Sequence, residues 1–445
     1  MNKQNFLNFV ENNILSLFTG SEVVGEEPSS PRDACVAQGS GGTVLVKFKK
    51  TDDFRYIIKR VQPFKTFEIS IIKSIIAEIA KIHNNRIAQE YQKQIEHIIT
   101  EKAICKSLTP NHATLQSLIS ELSSWSMRTY EGNNINFGFI LTNKKVKEAN
   151  NNLSIVNFLN KDFSALLSDG INTFMEISSN GYLLNYITAP KNSREDLLVP
   201  YEYLKMANLC IGSKIGVCLL KNGDILLFKD KSLIFAKRSG LWVCFTHQVI
   251  IDKLAERVGD SEDIRKAIYL SSIDTSFNKC GGCVVHVSNG EKFNILKHIN
   301  PADVLTEECY EHIIQETKSK SFFAELTESD NTHETFEQYI RQDKCSKSAN
   351  LIRIIKGRKF QDLDRKLRAE LMAIDGATII DYDGTILAAG AIVKIEAGST
   401  GGGRLAAAKM LSNYGIAIKI SNDGSIQGFR ADRSKLRAKP IFAIG

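Results

Sequence analysis

The sequence predicts an α/β protein whose C-terminal part is a mixed β-sheet flanked by helices, preceded by a β-rich module and by an N-terminal α/β region. Three observations predict this class. Isoleucines recur at helical spacing in residues 67–82, Asn-Gly turns separate short apolar runs between residues 171 and 246, and helical and strand-like segments alternate after residue 363. This combination is typical of sheets covered by helices.

The N-terminal region, residues 1–145, is predicted to be α/β and to act as a sensor. Residues 25–42 are rich in Gly, Pro and Ser and indicate a loop, after which Thr43–Lys49 alternates like a strand. Residues 67–82 are predicted to form an amphipathic helix. Its apolar positions share one face: Ile69, Ile72, Ile75, Ile76 and Ile79. The Asn-rich stretch Lys144–Asn152 indicates a linker.

Residues 153–246 are predicted to form a β-rich regulatory module. Two Asn-Gly turns, at Gly181 and Gly223, each lie between two apolar runs of strand length. Asn-Gly suits the positive φ angles of tight hairpin turns, so we expect a small antiparallel meander. Residues 247–430 then form a further domain, and residues 431–445 a basic tail.

Composition excludes several classes of protein. The chain has 445 residues, of which 43% are hydrophobic and 24% charged, as in ordinary globular proteins. The longest charge-free stretches, Ser107–Ser120 and Ile177–Pro190, have 14 residues each. A transmembrane helix needs about 20 apolar residues, so none is predicted. The N-terminus has no signal-peptide pattern, and we expect a cytoplasmic protein.

The nine cysteines indicate reduced thiols rather than a disulfide framework, since their number is odd and the chain is long. One close pair, Cys280 and Cys283, is separated by two glycines. A zinc site would need a second pair, or histidines at ligand spacing, and neither is present. A metal or redox role for the pair stays open beside the simpler interpretation that Cys283 is a buried strand residue.

The net charge is +7, and two basic clusters contribute to it. Such clusters attract phosphate, either free or in nucleic acid, but they are more often a solvated helix face and a frayed tail. No nucleic-acid motif accompanies them. The first cluster contains Arg353, Lys356, Arg358, Lys359, Arg365, Lys366 and Arg368, and the second Arg430, Arg433, Lys435, Arg437 and Lys439.

The candidate catalytic and binding residues follow Leu363 in the sequence. A predicted helix, Leu363–Leu371, is followed by Asp375-Gly376-Ala377, where helix passes into strand. The turn Asp383-Gly384 joins strands at residues 377–381 and 385–389, so Asp375-Gly376 is not needed as that turn. Gly376 is either a helix cap or part of a site at the mouth of a sheet.

A Gly-rich loop, Ala397–Gly403, precedes a predicted helix at residues 404–413. Free N–H groups and the helix dipole attract phosphate at such a place, and Arg404 adds charged donors. An arginine at a helix N-terminus opposes the dipole, which favours an anionic ligand over a merely flexible loop. The loop is not a P-loop, because no Gly-Lys-Ser/Thr ends it. A strand ending at Ser421 and a turn at residues 422–425 follow.

Together, these segments resemble the diadenylate cyclase domain, the nucleotidyltransferase domain of the DNA-integrity-scanning protein and of membrane-bound cyclases. The resemblance rests on Asp375-Gly376-Ala377, the hairpin, the Gly-rich loop with Arg404 before a helix, and the strand ending at Ser421. It extends more loosely upstream to the strand Gly282–Val287, so residues 247–430 are expected to form the diadenylate cyclase-like nucleotide domain. One motif departs from the family: where the family has Thr-Arg-His-Arg, Gly402 and Gly403 replace the first Arg and the His.

The resemblance implies a reaction and a site. Two ATP molecules would be condensed into cyclic di-AMP with release of two pyrophosphates, by two protomers facing each other as a homodimer or within a larger homo-oligomer. The implied catalytic and metal-binding residue is Asp375, with Mg²⁺ or Mn²⁺. The implied nucleotide-binding residues are Gly376, Ala377, Thr400, Gly401, Gly402, Gly403, Arg404, Ser421 and Asp423.

Two other functions remain open. A cyclase-derived domain that binds a nucleotide without turning it over would explain the missing Arg-His pair. An interaction protein that uses the β-rich module and the basic clusters, on DNA or RNA for example, would explain the clusters and would bind in a salt-dependent way.

Overall fold

The structure, a computed structural model, describes the whole chain except residues 84–91, 148–152, 191–193, 256–260, 322–335, 337–345, 395–401 and 433–436. It confirms the predicted mixed α/β class, with several sheets and flanking helices. The chain divides into two compact units. The first unit is Met1–Thr246 with Ile444–Gly445, and the second is His247–Ala443.

The first unit contains six α-helices among its described residues. They are α1 (Lys3–Val10), α2 (Thr66–His83), α3 (Gln92–Leu108), α4 (His112–Trp125), α5 (Ile155–Leu159) and α6 (Leu204–Leu209). Its strands are β1 (Ser21–Pro28), β2 (Val36–Gln38), β3 (Val44–Val46), β4 (Phe54–Arg60), β5 (Thr129–Tyr130), β6 (Asn133–Asn134), β7 (Phe137–Leu141), β8 (Thr173–Ile177), β9 (Leu183–Thr188), β10 (Ile215–Leu219), β11 (Ile225–Lys229), β12 (Ser232–Arg238) and β13 (Leu241–Cys244).

Two larger sheets organise this unit. The four-stranded sheet has the order β1-β4-β3-β2, and the seven-stranded sheet the order β13-β12-β11-β10-β7-β8-β9. Strand β7 pairs with β10 on one side and with β8 on the other. Residues 1–145 and 153–246 therefore share one sheet and one hydrophobic core, and the linker expected at residues 144–152 does not separate two compact units.

Helix α2 shows why the sequence pattern was informative. The predicted helix at residues 67–82 is observed as Thr66–His83, and its five predicted core isoleucines are all at least 93% buried. Apolar side chains at this spacing face the core together, and burying each stabilises the fold by about 1.5–3 kcal/mol. The expected loop at residues 25–42 is wrong in part, because β1 extends to Pro28 and Val36–Gln38 pairs with β3.

The second unit holds the segment with the candidate chemistry. Among its described residues, the helices are α7 (His247–Leu254), α8 (Glu262–Phe277), α9 (Lys292–Leu296), α10 (Glu307–Ser321), α11 (Lys347–Ile355), α12 (Arg365–Ala373) and α13 (Gly403–Leu411). Its strands are β14 (Gly282–Val287), β15 (Ala377–Ile380), β16 (Ile386–Ala391), β17 (Gly415–Ile420), β18 (Ile426–Asp432) and β19 (Arg437–Ile444).

A six-stranded mixed sheet forms the centre of this unit, in the order β16-β15-β14-β17-β18-β19. Strands β14 and β15 are parallel, whereas β14–β17, β15–β16 and β17–β18 are antiparallel. Alternating residues of β14 point to opposite faces. Cys283, Val285 and Val287 pack in a core with Leu411 of α13, and α8 and α12 also pack against the sheet.

The segment expected to be a basic tail is different in the structure. Residues up to Asp432 belong to β18, and Arg437–Ile444 forms the last strand of the sheet. The apolar run Ile441–Ile444 supplies the physical reason, since these residues are buried. None of the helices in the described part of the chain is long and apolar enough to cross a membrane.

Candidate functional site

Several chain segments meet at one end of the second unit's sheet. The parallel strands β14 and β15 both begin there, and β17 ends there because it runs antiparallel to β14, with Gly282 paired to Ile420. The N-terminus of α13 lies at the same end, where Arg404 Nη2 is 3.6 Å from Asp375 Oδ1. We call this end the Asp375 edge; its residues are Gly281, Asp375, Gly376, Gly402, Gly403, Arg404 and Asn422.

Asp375 occupies the connection between α12 and β15. Gly376 has φ of +110°, which side chains rarely adopt, and a Cβ there would lie 2.5 Å from the carbonyl carbon of Gly390. The Thr378 hydroxyl donates to the Leu371 carbonyl at 3.0 Å and ties the start of the strand to the end of the helix. The glycine thus lets the chain turn sharply, and the Asp375 side chain is left 91% exposed.

Arg404 lies in the first turn of α13, behind Gly402 at the N-cap position. Its guanidinium contacts are long: 3.6 Å to Asp375 Oδ1 and 3.4 Å to Asn422 Oδ1. Nε is buried and has no acceptor within hydrogen-bonding distance among the described residues. A guanidinium has five N–H donors, and two oxygens at these long distances satisfy the donors of Arg404 poorly. The arginine is therefore suited to an additional anionic partner.

Two members of the edge, Gly281 and Asn422, were not among the site residues predicted from the sequence. A Cβ on Gly281 would lie 2.7 Å from Arg404 Cζ, so the arginine head group occupies the space that a side chain would need. Asn422 belongs to the turn after β17, and its Oδ1 faces Arg404. The pair of glycines between Cys280 and Cys283 could have indicated a close approach at Gly281. The segment was instead interpreted through its two thiols, as a candidate metal or redox pair.

The other predicted site residues fall into three groups. Ala377 is fully buried in the core, so its side chain does not reach the edge. Ser421 and Asp423 belong to the turn that carries Asn422, where Asp423 Oδ1 accepts from the Ser425 N–H at 2.8 Å and thereby supports the turn. Thr400 and Gly401 lie outside the described residues.

The donor set at the edge bears on the expected Mg²⁺ or Mn²⁺. Across the described ranges, no three His, Cys, Asp or Glu side chains are grouped so that they could hold a metal ion. Mg²⁺ is commonly bound through one or two carboxylates together with substrate phosphates. The exposed carboxylate of Asp375 therefore fits as one ligand of an ion that arrives with a nucleotide. It does not fit an ion that the protein alone would hold.

The two cysteines of the Cys280–Cys283 pair lie in different environments. Cys283 is buried in β14, whereas Cys280 is partly exposed before the strand. Burial raises the pKa of the Cys283 thiol to about 12, although the positive charge of Arg404 acts in the opposite direction. A buried thiol with a raised pKa is a poor nucleophile and a poor metal ligand. The structure places Cys283 where the simpler interpretation expected it, in the strand.

The first basic cluster is less available than its sequence suggests. Arg365 is fully buried, and its guanidinium donates to both carboxylate oxygens of Asp274, at 2.7 and 2.8 Å. Arg358 donates to two carbonyls at the end of α11, and Lys359 pairs with Asp383 at 3.1 Å. These charges are used within the unit, which weakens the polynucleotide interpretation of the cluster.

Comparison of the chain with models of protein families finds no match, and neither curated proteins nor solved structures match it. Its function therefore has to be inferred from its residues and their geometry.

Proposed function

We propose that the Asp375 edge binds the polyphosphate of a nucleoside triphosphate, as a nucleotide-binding domain of the diadenylate cyclase type. The observation that carries this proposal is Arg404, a poorly partnered guanidinium in the first turn of α13 and 3.6 Å from the exposed carboxylate of Asp375. The N-terminus of a helix offers amide donors and a favourable dipole to phosphate. Arg404 adds charge-assisted hydrogen bonds to the same oxygens.

The reaction that the resemblance implies is condensation of two ATP molecules. The 3′-oxygen of one ATP forms a bond to the α-phosphorus of the other, the bond from that phosphorus to the pyrophosphate oxygen breaks, and the hydroxyl proton leaves to solvent. A second, identical step closes cyclic di-AMP and releases the second pyrophosphate. A divalent ion, when bound, would neutralise charge on the phosphate oxygens. Asp375 would orient the reacting phosphate through that ion, and Arg404 would hold the polyphosphate.

Two copies of the chain are required for this reaction. One Asp375 edge holds one triphosphate, and ring closure needs a second nucleotide presented in the opposite direction. The edge suits such an approach, since Asp375 is 91% exposed. We therefore propose a homo-oligomer in which two Asp375 edges face each other.

The second candidate is a sensor that binds a nucleotide without turnover. Two observations favour it: Gly402 and Gly403 stand where the family has Arg and His, and Arg404 is the arginine beside Asp375 in the described structure. Loss of one transition-state donor typically costs about 10²–10³ in rate. Without replacement of two such donors, binding would survive while turnover would be feeble.

One experiment separates these candidates. The purified full-length protein is titrated with ATP, and with each of the other common nucleoside triphosphates, in the presence of Mg²⁺ or Mn²⁺ in a calorimeter. The same mixtures are then analysed for cyclic dinucleotides. Binding with a product that Asp375→Asn abolishes supports the cyclase, and binding without product at high protein concentration supports the sensor.

A matched control keeps the result specific. Lys359→Met removes a cation of the same unit that pairs with Asp383, at the opposite end of β15 from Asp375. It should bind nucleotide like the wild type, whereas Arg404→Gln should bind at least about tenfold more weakly. Absence of binding by the wild type to every triphosphate would refute both candidates.

A further inference from the structure

A gap in the main-chain pairing lies along the outer edge of β16. The segment 298–305 runs antiparallel to this edge, with bridges between Ile299 and Val393 and between Val304 and Ala388. Between the two bridges the chain leaves the edge in a short 3₁₀ turn, Pro301–Asp303. The backbone of β16 opposite this turn consequently lacks a neighbouring strand, and its polar groups need other partners.

A side-chain ion pair fills the gap. Lys347 Nζ donates to the Gly390 carbonyl at 2.6 Å and to Asp303 Oδ1 at 2.6 Å. The second carboxylate oxygen of Asp303 accepts from the Ile392 N–H at 3.1 Å. Lys347 and Asp303 thus make the backbone contacts on either side of Ala391 that an edge strand would otherwise make.

The ion pair is itself held in place. Asp303 is 12% exposed in its side chain and Lys347 38%, so water competes only in part for these hydrogen bonds. The next residue, Ser348, is 1% exposed, and its hydroxyl donates to the carbonyl of Ala302 in the 3₁₀ turn. Helix α11 is thereby attached to the turn through two adjacent residues.

The backbone that this pair holds supports the Asp375 turn. A Cβ on Gly376 would lie 2.5 Å from the carbonyl carbon of Gly390, 2.6 Å from its oxygen and 2.7 Å from the Ala391 oxygen. The Asp375 carbonyl lies 3.0 Å from the position of a Cβ on Gly390. Backbone packs directly on backbone at this point, so a shift of Gly390 has to move Asp375 or Gly376.

We propose that Lys347 and Asp303 are positioning residues that fix the backbone from which the Asp375 carboxylate projects, by holding the backbone of Gly390 and Ile392. The claim that Asp375 is positioned to bind a nucleotide rests on the proposed function. The hydrogen bonds of Lys347 and Asp303 and the packing of Gly376 on Gly390 can be tested without any ligand.

The first test compares amide hydrogen exchange in the full-length protein and in its variant Lys347→Met. Methionine keeps most of the length of the lysine side chain but removes the hydrogen-bond donor. We expect the amide of Ile392, which donates to Asp303, and the amide of Ala377, which pairs with Ala391, to exchange about tenfold faster or more in the variant, while those of β14 are unchanged. The control Lys359→Met should leave all of them as in the wild type. Equal exchange at Ile392 and Ala377 in both proteins, or uniformly faster exchange throughout the unit, would refute the positioning role.

The second test is a double-variant cycle with Mg·ATP as the probe. Lys347→Met should weaken binding by about tenfold, the order found when groups that orient ligating side chains are removed. Because Lys347 acts through Asp375, it should have no further effect in the Asp375→Asn background. Lys347→Arg, which retains a donor, should recover part of the affinity.

The two tests fail separately. Fully additive effects of Lys347→Met and Asp375→Asn would refute the link between Lys347 and Asp375. Absence of ATP binding by the wild-type protein would refute the proposed function, and the exchange experiment would then decide the positioning role by itself.

Discussion

Substitution of Gly281 tests the proposed nucleotide binding at the Asp375 edge separately from the stability of the unit. In Gly281→Ala the new methyl group would occupy the space of the Arg404 guanidinium, 2.7 Å from Cζ, and would also collide with the Asn422 amide oxygen. Both obstacles are the ends of side chains rather than backbone. Gly281 does not have positive φ, so its backbone tolerates alanine. We expect the arginine head group to move while the fold stays intact.

The expected changes in stability and in nucleotide affinity follow from the backbone change and from the lost hydrogen bond. A Gly→Ala change at a compatible backbone position alters stability by no more than about 1 kcal/mol. A hydrogen bond to a charged group contributes about 1.5–3 kcal/mol, and the low end applies because the Arg404 side chain is 37% exposed. Displacing Arg404 should therefore weaken nucleotide binding by about 1.5 kcal/mol, or about tenfold in Kd.

The assay pairs calorimetric titration with Mg·ATP and urea unfolding of the same protein samples. Gly25→Ala serves as the control, because a Cβ on Gly25 meets nothing within 4 Å and its φ is not positive. Gly281→Ala with wild-type affinity and wild-type stability would refute the assignment of Arg404 to the nucleotide. A stability loss of several kcal/mol would refute the view that only side chains oppose the new methyl group.

Three further variants test the fold around the edge and the first unit. Gly376→Ala should destabilise the second unit by about 2–5 kcal/mol in urea unfolding, because strain at positive φ adds to a collision with backbone; a loss below 1 kcal/mol would contradict this. Arg365→Met should cost about 3–5 kcal/mol, since it leaves the buried Asp274 carboxylate without its arginine, and adding Asp274→Leu should recover most of the loss; no recovery in the double variant would contradict the pairing. The hydrogen bond from Lys106 lowers the pKa of Glu78 to about 2 from an ordinary 4.5. The stabilisation that ionised Glu78 provides is thus complete above about pH 4.5 and disappears as the pH falls through 2. The Tm difference between wild type and Glu78→Gln should therefore shrink over that range, and a constant difference would refute this role of Glu78.

Local patterns in the sequence predicted local structure well. The hairpin turns at Gly181, Gly223 and Gly384 all join the antiparallel strands expected, because Asn-Gly and Asp-Gly favour these turns regardless of what surrounds them. The strand Gly282–Val287 was predicted residue for residue. The juxtaposition of Asp375 with Arg404 was also expected, from a resemblance to a known family, and the structure places their side chains 3.6 Å apart.

Contacts between distant parts of the chain could not be predicted in the same way. Nothing in the pattern around Lys347 indicates that its Nζ reaches Gly390, 43 residues away, because that contact depends on where the chain leaves the edge of β16. Gly281 is another example, since its importance comes from Arg404, which packs over it from helix α13. The last strand, Arg437–Ile444, was missed because five basic residues nearby outweighed its apolar end in the interpretation.

A crystal structure of the full-length protein with a non-hydrolysable ATP analogue and Mg²⁺ tests the central claim most directly. We predict phosphate oxygens within hydrogen-bonding distance of the Arg404 guanidinium and of the first amides of α13, with the Asp375 carboxylate turned toward the same phosphates. An analogue bound elsewhere on the chain, with the Asp375–Arg404 contact unchanged, would contradict the account.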